Sequence, residues 1–290
     1  MTTDEEGELL SVMNGRISLW VKKHPLIIYF TLAYAISGVI VLPLIASAQG
    51  FIDVRVPFAI HYLNDYGPLL AAIVTARVAD GPDGLRDLFR RMVRLRDCWG
   101  WVLLAAFLPL VVFALAAAIV VFAKGGSPPN LTLLGKVPYL PYLGLGGWIF
   151  WMFTVGIGEE SGWRGYALPK LQRNMSALSA TLIVTVFWIC WHLPRFFYYD
   201  GYLTRGFSAL PLFALQLLTM AIVLTWLYNS GRGSILAAAS FHSSFNFFDA
   251  SPAAGGELGI VIRELLIVLA IVVIVLFKPA RLSRRGKHVL

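Results

Sequence analysis

Long, nearly uninterrupted apolar blocks run along this chain, and they constrain its fold more than any other feature. Of 290 residues 58% are hydrophobic and 14% charged, and the apolar residues gather in blocks, where a water-soluble core would alternate with polar faces. Lipid is therefore the solvent for most of the chain. Lipid satisfies no backbone N–H or C=O, so each segment must close its own hydrogen bonds, and a helix of about 20 residues is the shortest way to do so across the hydrocarbon. Hydropathy places eight such spans at roughly 25–48, 57–79, 99–123, 139–158, 176–198, 209–229, 233–250 and 258–277. The expected fold is all-α, a polytopic transmembrane bundle of about eight helices. The second span is the weakest, because His61, Asn64, Asp65 and the Gly67-Pro68 pair interrupt it.

The organisation that follows is one membrane-embedded domain over 25–277, a polar segment over 1–24 and a basic tail over 278–290. Leu26 to Ala48 exceeds the core of a signal peptide and lacks a cleavage signal, so it reads as a retained anchor. The only cysteines, Cys98 and Cys190, support neither a disulfide framework nor a cysteine-rich zinc site. The net charge of +8 is topological and carries no nucleic-acid footprint. With the N-terminus inside, alternate segments hold 18 of the 24 Lys and Arg residues on the inner side. Only Arg55, Lys124, Lys136, Arg195, Arg205 and Arg263 fall outside. Basic loops stay on the cytoplasmic side, so both termini are expected there, in the inner membrane of a bacterium, with the loop from Arg86 to Arg96 against anionic headgroups.

A charge near the bilayer centre costs about 2.5–3.5 kcal/mol on insertion scales, so the exceptions mark where such groups act or pair. The run from Gly156 to Gly165 contains Glu159, Glu160 and Arg164. Glu160 and Arg164 stand four residues apart on one helical face and are expected to pair, leaving Glu159, about 100° round the helix, as a free base. An ordinary solvated helix end would also accommodate both acids, but the glycines at 156, 158, 162 and 165 favour close helix approach around them. His192 lies in the fifth span and His242 in the seventh, with Asn246 four residues on and so on the same face as His242. Packing histidines and interhelical polar glue are the plainer readings of each alone. Depth brings the groups together: at about 1.5 Å per residue, Glu159, His192 and His242 share a middle layer, provided the fourth helix runs on to about Gln172. If it stops at Gly158, Glu159 is at the surface.

These groups resemble the motifs of the CAAX-protease and bacteriocin-processing family of intramembrane peptidases, which includes the type II CAAX prenyl endopeptidase. The Glu-Glu-x-x-x-Arg motif stands as Glu159, Glu160 and Arg164, the Phe-x-x-x-His motif ends at His192, and His-x-x-x-Asn stands as His242 and Asn246. Trp188 replaces the usual Phe, a change expected to affect packing more than chemistry. The resemblance spans roughly 140–250 and implies an eight-helix fold, cleavage of a membrane-associated peptide, and a site opening toward the cytoplasm.

A carboxylate and an imidazole can hold and deprotonate a water, while a second imidazole and an amide stabilise the oxyanion. On that chemistry Glu159 and His192 hold the water, His242 and Asn246 face the oxyanion, and Glu160 with Arg164 orients them. Zinc on Glu159, His192 and His242 is the alternative, three protein ligands plus water being a standard catalytic set, although no His-Glu-x-x-His signature is present. The partners expected are the lipid bilayer and a membrane-associated peptide or protein, lipidated or not. A secondary transporter would show paired halves with broken helices, and no such repeat is visible. A non-catalytic scaffold or immunity-type protein would keep the fold and use the polar cluster for packing. Trp148, Trp151, Trp163, Trp188 and Trp191 are expected in an aromatic belt at the membrane surface, with a substrate groove as the other reading.

Overall fold

The structure is a computed structural model that describes residues 19–290, so most of the polar segment 1–24 lies outside the described residues. Among the described residues every regular element is helical. Helix α1 (Pro25–Ala48) starts on a proline, whose fixed φ suits the first turn and whose missing N–H would have had no partner there. A 3-10 segment (Phe58–Tyr66) leads into α2 (Gly67–Thr75), and a π turn (Ala76–Asp80) leads on into α3 (Gly81–Met92). Helix α4 (Trp99–Ala118) follows and continues as a π turn to Ala123. Helix α5 is one continuous run over 146–171. After it come α6 (Ala177–His192), extended by a 3-10 turn (Leu193–Phe197), then α7 (Leu210–Ser230), α8 (Ile235–Asp249) and α9 (Glu257–Phe277).

Among the described residues eight helical passes correspond to the eight spans read from hydropathy, and they fall into two kinds. Five are long and apolar enough to cross a membrane: Pro25–Ala48, Trp99–Ala123, Ala177–Phe197, Gly206–Ser230 and Glu257–Phe277. The protein is an integral membrane protein. The remaining passes, over 58–80, 146–171 and 235–249, are broken, π-bulged or short, and they supply most of the buried polar groups. Helix α8 is buried along nearly its whole length, against α4, α5 and α7. Its small residues, Ala237 to Ser240 with Ser243 and Ser244, let those backbones close in.

The fourth pass differs most from expectation. It starts at Gly146 and runs to Leu171, whereas hydropathy ends it at 158. Glu159, Glu160 and Arg164 lower the apolar signal, yet all three are buried, because they pair with the bundle and not with solvent. The tryptophan belt is also corrected. Trp151, Trp163, Trp188 and Trp191 are buried inside the bundle, and Trp148 is half-buried with its indole N–H donating to Ser244 Oγ at 2.8 Å. Their large rings fill the space between irregular helices that shorter aliphatic chains would leave open.

The two ends of the bundle differ. At the basic end lie α3, the turns at 172–176 and 231–234, and residues 278–290. The loop from Arg86 to Arg96 forms the amphipathic helix α3 and its turn, with Leu88 buried and the Arg91 guanidinium donating to the Gly165 carbonyl at 2.7 Å and Tyr228 Oη at 3.0 Å. Lys170 pairs with Asp80 at 2.7 Å, and Lys287 donates to the Met175 carbonyl at 2.8 Å. At the loop end lie residues 49–57, 124–145, 198–209 and 250–256, tied by Tyr139 to Asp200 at 2.6 Å, Ser251 to the Leu133 carbonyl at 2.8 Å and Lys124 to Glu257 at 2.9 Å.

Candidate active site

The local backbone of α5 sets the site. Over Met152–Glu159 the helix takes the wider π form, and again over Trp163–Ala167, with one short α segment between. A π turn inserts a residue into the helical register, and such bulges gather at functional sites. Two glycines make the position accessible. A Cβ on Gly156 would meet Ser243 Oγ at 2.5 Å and the Ala239 carbonyl at 3.1 Å of α8, and one on Gly158 would meet the Asp65 carbonyl at 2.7 Å. Any larger residue would push away one of the two walls that carry polar groups to Glu159.

Glu160 and Glu159 then separate as their spacing predicts. Glu160 Oε1 accepts from Arg164 Nη1 at 3.0 Å and from His242 Nδ1 at 2.7 Å, with both carboxylate and guanidinium essentially unexposed. Glu159 faces the other way, and its Oε2 accepts the indole N–H of Trp188 at 2.7 Å. Trp188 is the hub of the site. Its backbone carbonyl accepts from His192 Nδ1 at 2.7 Å, its ring lies 5.7 Å from the His192 ring and 5.5 Å from the His242 ring, and Arg164 Cζ stacks 4.6 Å above it. The change from Phe to Trp, expected to affect packing more than chemistry, also supplies a donor: phenylalanine has no side-chain N–H to give Glu159.

The two histidines are held alike. In each, Nδ1 donates to an oxygen acceptor and Nε2 has no hydrogen-bond partner among the described residues. Glu159, His192, His242 and Asn246 all line a single cavity of about 340 Å³. Water takes up roughly 30 Å³ per molecule in the liquid, so the space admits several waters or a short stretch of peptide. Of the acid, imidazole and amide groups singled out by spacing, Glu159, His192, His242 and Asn246 meet at the cavity, and Glu160 lies behind them against His242.

Other polar groups on the wall were not singled out. Asp65, buried, faces Arg195 at 3.5 Å, and His61 Nδ1 lies 2.6 Å from Tyr198 Oη. Asp249 accepts from Gln216 Nε2 at 3.0 Å. The signal for the first group was present: His61 and Asp65 are what weakened the second span. Arg195 was counted only toward topology, and Asp249 sits at a helix end where an acid attracts no notice.

A zinc ion would need three donors converging on one point. Among the described residues no group of three His, Cys, Asp or Glu side chains is arranged to hold a metal. Glu159 is held by Trp188 through one oxygen and each histidine through Nδ1, which leaves both Nε2 atoms free, but Glu159, His192 and His242 are not gathered round one point in this arrangement.

Residues 141–248 match the family described as type II CAAX prenyl endopeptidase Rce1-like. The chain resembles the type II CAAX prenyl endopeptidases. It is also similar to CAAX prenyl protease 2 of Methanococcus maripaludis, 31% identical over 150 residues that make up 47% of this chain and 53% of that protein. The chain thus spans about half the length of this curated relative. The matched stretch starts just before α5 and ends within α8, and it contains every motif residue that meets at the cavity.

Proposed function

We propose that the protein is an intramembrane endopeptidase of the CAAX type in a bacterial inner membrane, hydrolysing a membrane-associated peptide or protein with a water activated by Glu159. One observation supports this above all: a carboxylate, two imidazoles with free Nε2 atoms and an amide line one cavity, while the second carboxylate is held behind them through Oε1 by Arg164 and His242.

In the mechanism, the water sits between Glu159 and His192 Nε2. Glu159 takes its proton as oxygen attacks the peptide carbonyl, forming the C–O bond and moving the carbonyl electron pair onto oxygen. His242, donating from a protonated Nε2, and the Asn246 amide hold that oxyanion. The C–N bond then breaks, and Glu159 returns the proton to the leaving amine. Glu160 and Arg164 stay fixed, holding His242 through its Nδ1. No step uses a metal, and activity is expected to survive exhaustive chelation, with no stoichiometric zinc in the purified protein.

The decisive experiment compares reconstituted wild-type and Glu159→Gln protein on a membrane peptide library, with cleavage read by mass spectrometry. Loss of a general base lowers turnover about 10²–10⁴-fold. Thermal stability is expected to stay near wild type. If the cluster served only to pack helices, the substitution would lower stability and no wild-type cleavage would be seen.

A further inference from the structure

The cavity belongs wholly to one half of the bundle. Its floor is Glu159, Trp188 and His242, and its rim includes Pro138, Gly201, Arg205 and Ala250, of which the last three are exposed. Every rim residue lies in a segment at the loop end. Nothing from α3, 172–176, 231–234 or 278–290 reaches the wall.

Charge runs the other way. The segments at the basic end, α3 with its turn to Arg96, 172–176, 231–234 and 278–290, hold 12 of the 24 Lys and Arg residues, and the structure ties this end together: Lys170 to Asp80, Arg94 to the Arg232 carbonyl, Ser234 to the Arg94 carbonyl, and Lys287 to the Met175 carbonyl. Of the six that the sequence places on the outer side, Arg195 is drawn inward to Asp65 and Lys124 is paired with Glu257, which leaves the loop end poorer still in free cations. Two sequence expectations, cytoplasmic termini and a cavity open to the cytoplasm, are therefore mutually exclusive in this fold. Loops rich in Lys and Arg are retained on the cytoplasmic side by the insertion machinery and the membrane potential, and no comparable force fixes the cavity mouth.

We infer that the cavity opens on the extracytoplasmic face, and that its substrates are membrane-tethered peptides or proteins whose flexible juxtamembrane segments are displayed on that face. This rests on the peptidase reading and narrows it. Glu159 lies 13 residues into α5 from Gly146, about 20 Å from the loop end. Extended chain covers about 3.3 Å per residue, so roughly six unstructured residues must thread inward before the scissile bond reaches the carboxylate. A folded domain cannot follow them into 340 Å³. The substrate is thus a linear segment, and one in the cytoplasm has no path to the site.

Labelling tests the sidedness without depending on activity. In a Cys190→Ala background, with buried Cys98 retained, Gly201→Cys and Ala250→Cys place thiols on the rim, and Arg173→Cys places one at the basic end. Spheroplasts expressing each full-length variant are treated with a membrane-impermeant maleimide before and after lysis. Both rim cysteines are expected to label before lysis to the same extent as after it, and Arg173→Cys only after; the reverse pattern overturns the inference. The same peptide library is then presented to sealed right-side-out and inside-out vesicles. Cleavage in right-side-out vesicles alone agrees with outward labelling, and cleavage in inside-out vesicles alone overturns it. Outward labelling with cleavage in neither vesicle would count against the peptidase reading and leave the sidedness established.

Discussion

At the residue scale the site depends on which oxygen each donor serves. Trp188 gives its N–H to Glu159 and its carbonyl to His192, so one residue sets the direction of both groups proposed to hold the water. Trp188→Phe keeps an aromatic ring near both histidines but removes the N–H together with the pyrrole half of a buried indole. A hydrogen bond to a charged group contributes about 1.5–3 kcal/mol, so steady-state assays are expected to show kcat lower by roughly 10- to 100-fold with KM nearly unchanged, a larger loss than the smaller buried ring imposes on the melting temperature. A melting temperature that falls as far as activity does would show that the indole serves packing alone. Arg164 makes the contrasting case. It is buried and paired to Glu160 within the bundle, and Arg164→Met would leave a buried carboxylate with His242 as its sole partner. Removing one member of a buried ion pair costs about 3–5 kcal/mol, and thermal unfolding in detergent is expected to register that loss.

At the element scale, the two carboxylates, His242 and Asn246 lie in passes that are poor membrane helices, and Trp188 and His192 come from a regular one. The regular ones, such as 25–48 and 99–123, were legible to the residue, because lipid demands an apolar helix and hydropathy reports little else. The others were legible only in outline. Hydropathy ended the fourth pass at 158 because Glu159, Glu160 and Arg164 look like a surface, and single-chain periodicity carries no sign that Trp188 and His242 on other helices will accommodate them. The two π stretches were not foreseen, since they follow from how α5 meets its neighbours and not from any residue propensity. The glycines were the one readable trace of that contact. Gly158→Ala places a Cβ within 2.7 Å of the Asp65 carbonyl, backbone that cannot rotate away. Overpacking of this kind costs about 1–3 kcal/mol, and because it moves the wall beside Glu159, activity is expected to fall further than Tm implies. Paired unfolding and turnover measurements check this, with Gly38→Ala, where the added Cβ meets nothing, as the neutral control.

At the scale of the whole molecule, the two ends carry different tasks, and the sequence displayed the charge but not the cavity that lies opposite it. The tail shows the same limit. Residues 278–290 read as a basic membrane-edge segment or a disordered one, whereas the structure docks them on the basic end: the His288 carbonyl accepts from Gln172 Nε2 at 2.7 Å, its N–H donates to Asn229 Oδ1 at 3.1 Å, and its ring lies 5.6 Å from Tyr228. Gly233, at positive φ, has no side chain because the His288 ring occupies that space. Burial, with the nearby Arg91 and Arg94 cations and against the opposing pull of Asp87, pushes the imidazole down from 6.5 to about 4. A docked tail therefore needs His288 neutral, while an undocked one takes up a proton near pH 6.5. The sign follows: docking is fully supported above 6.5, and it weakens as pH falls from 6.5 toward 4, by up to about 3 kcal/mol. A spin label at the half-exposed Val289 is expected to be immobile at pH 7.5 and to gain mobility across that interval. His288→Phe keeps a ring against Tyr228 and cannot be protonated, so its label should stay immobile down to pH 4.5, and a wild-type-like transition in that variant would assign the titration to Asp87 or another group.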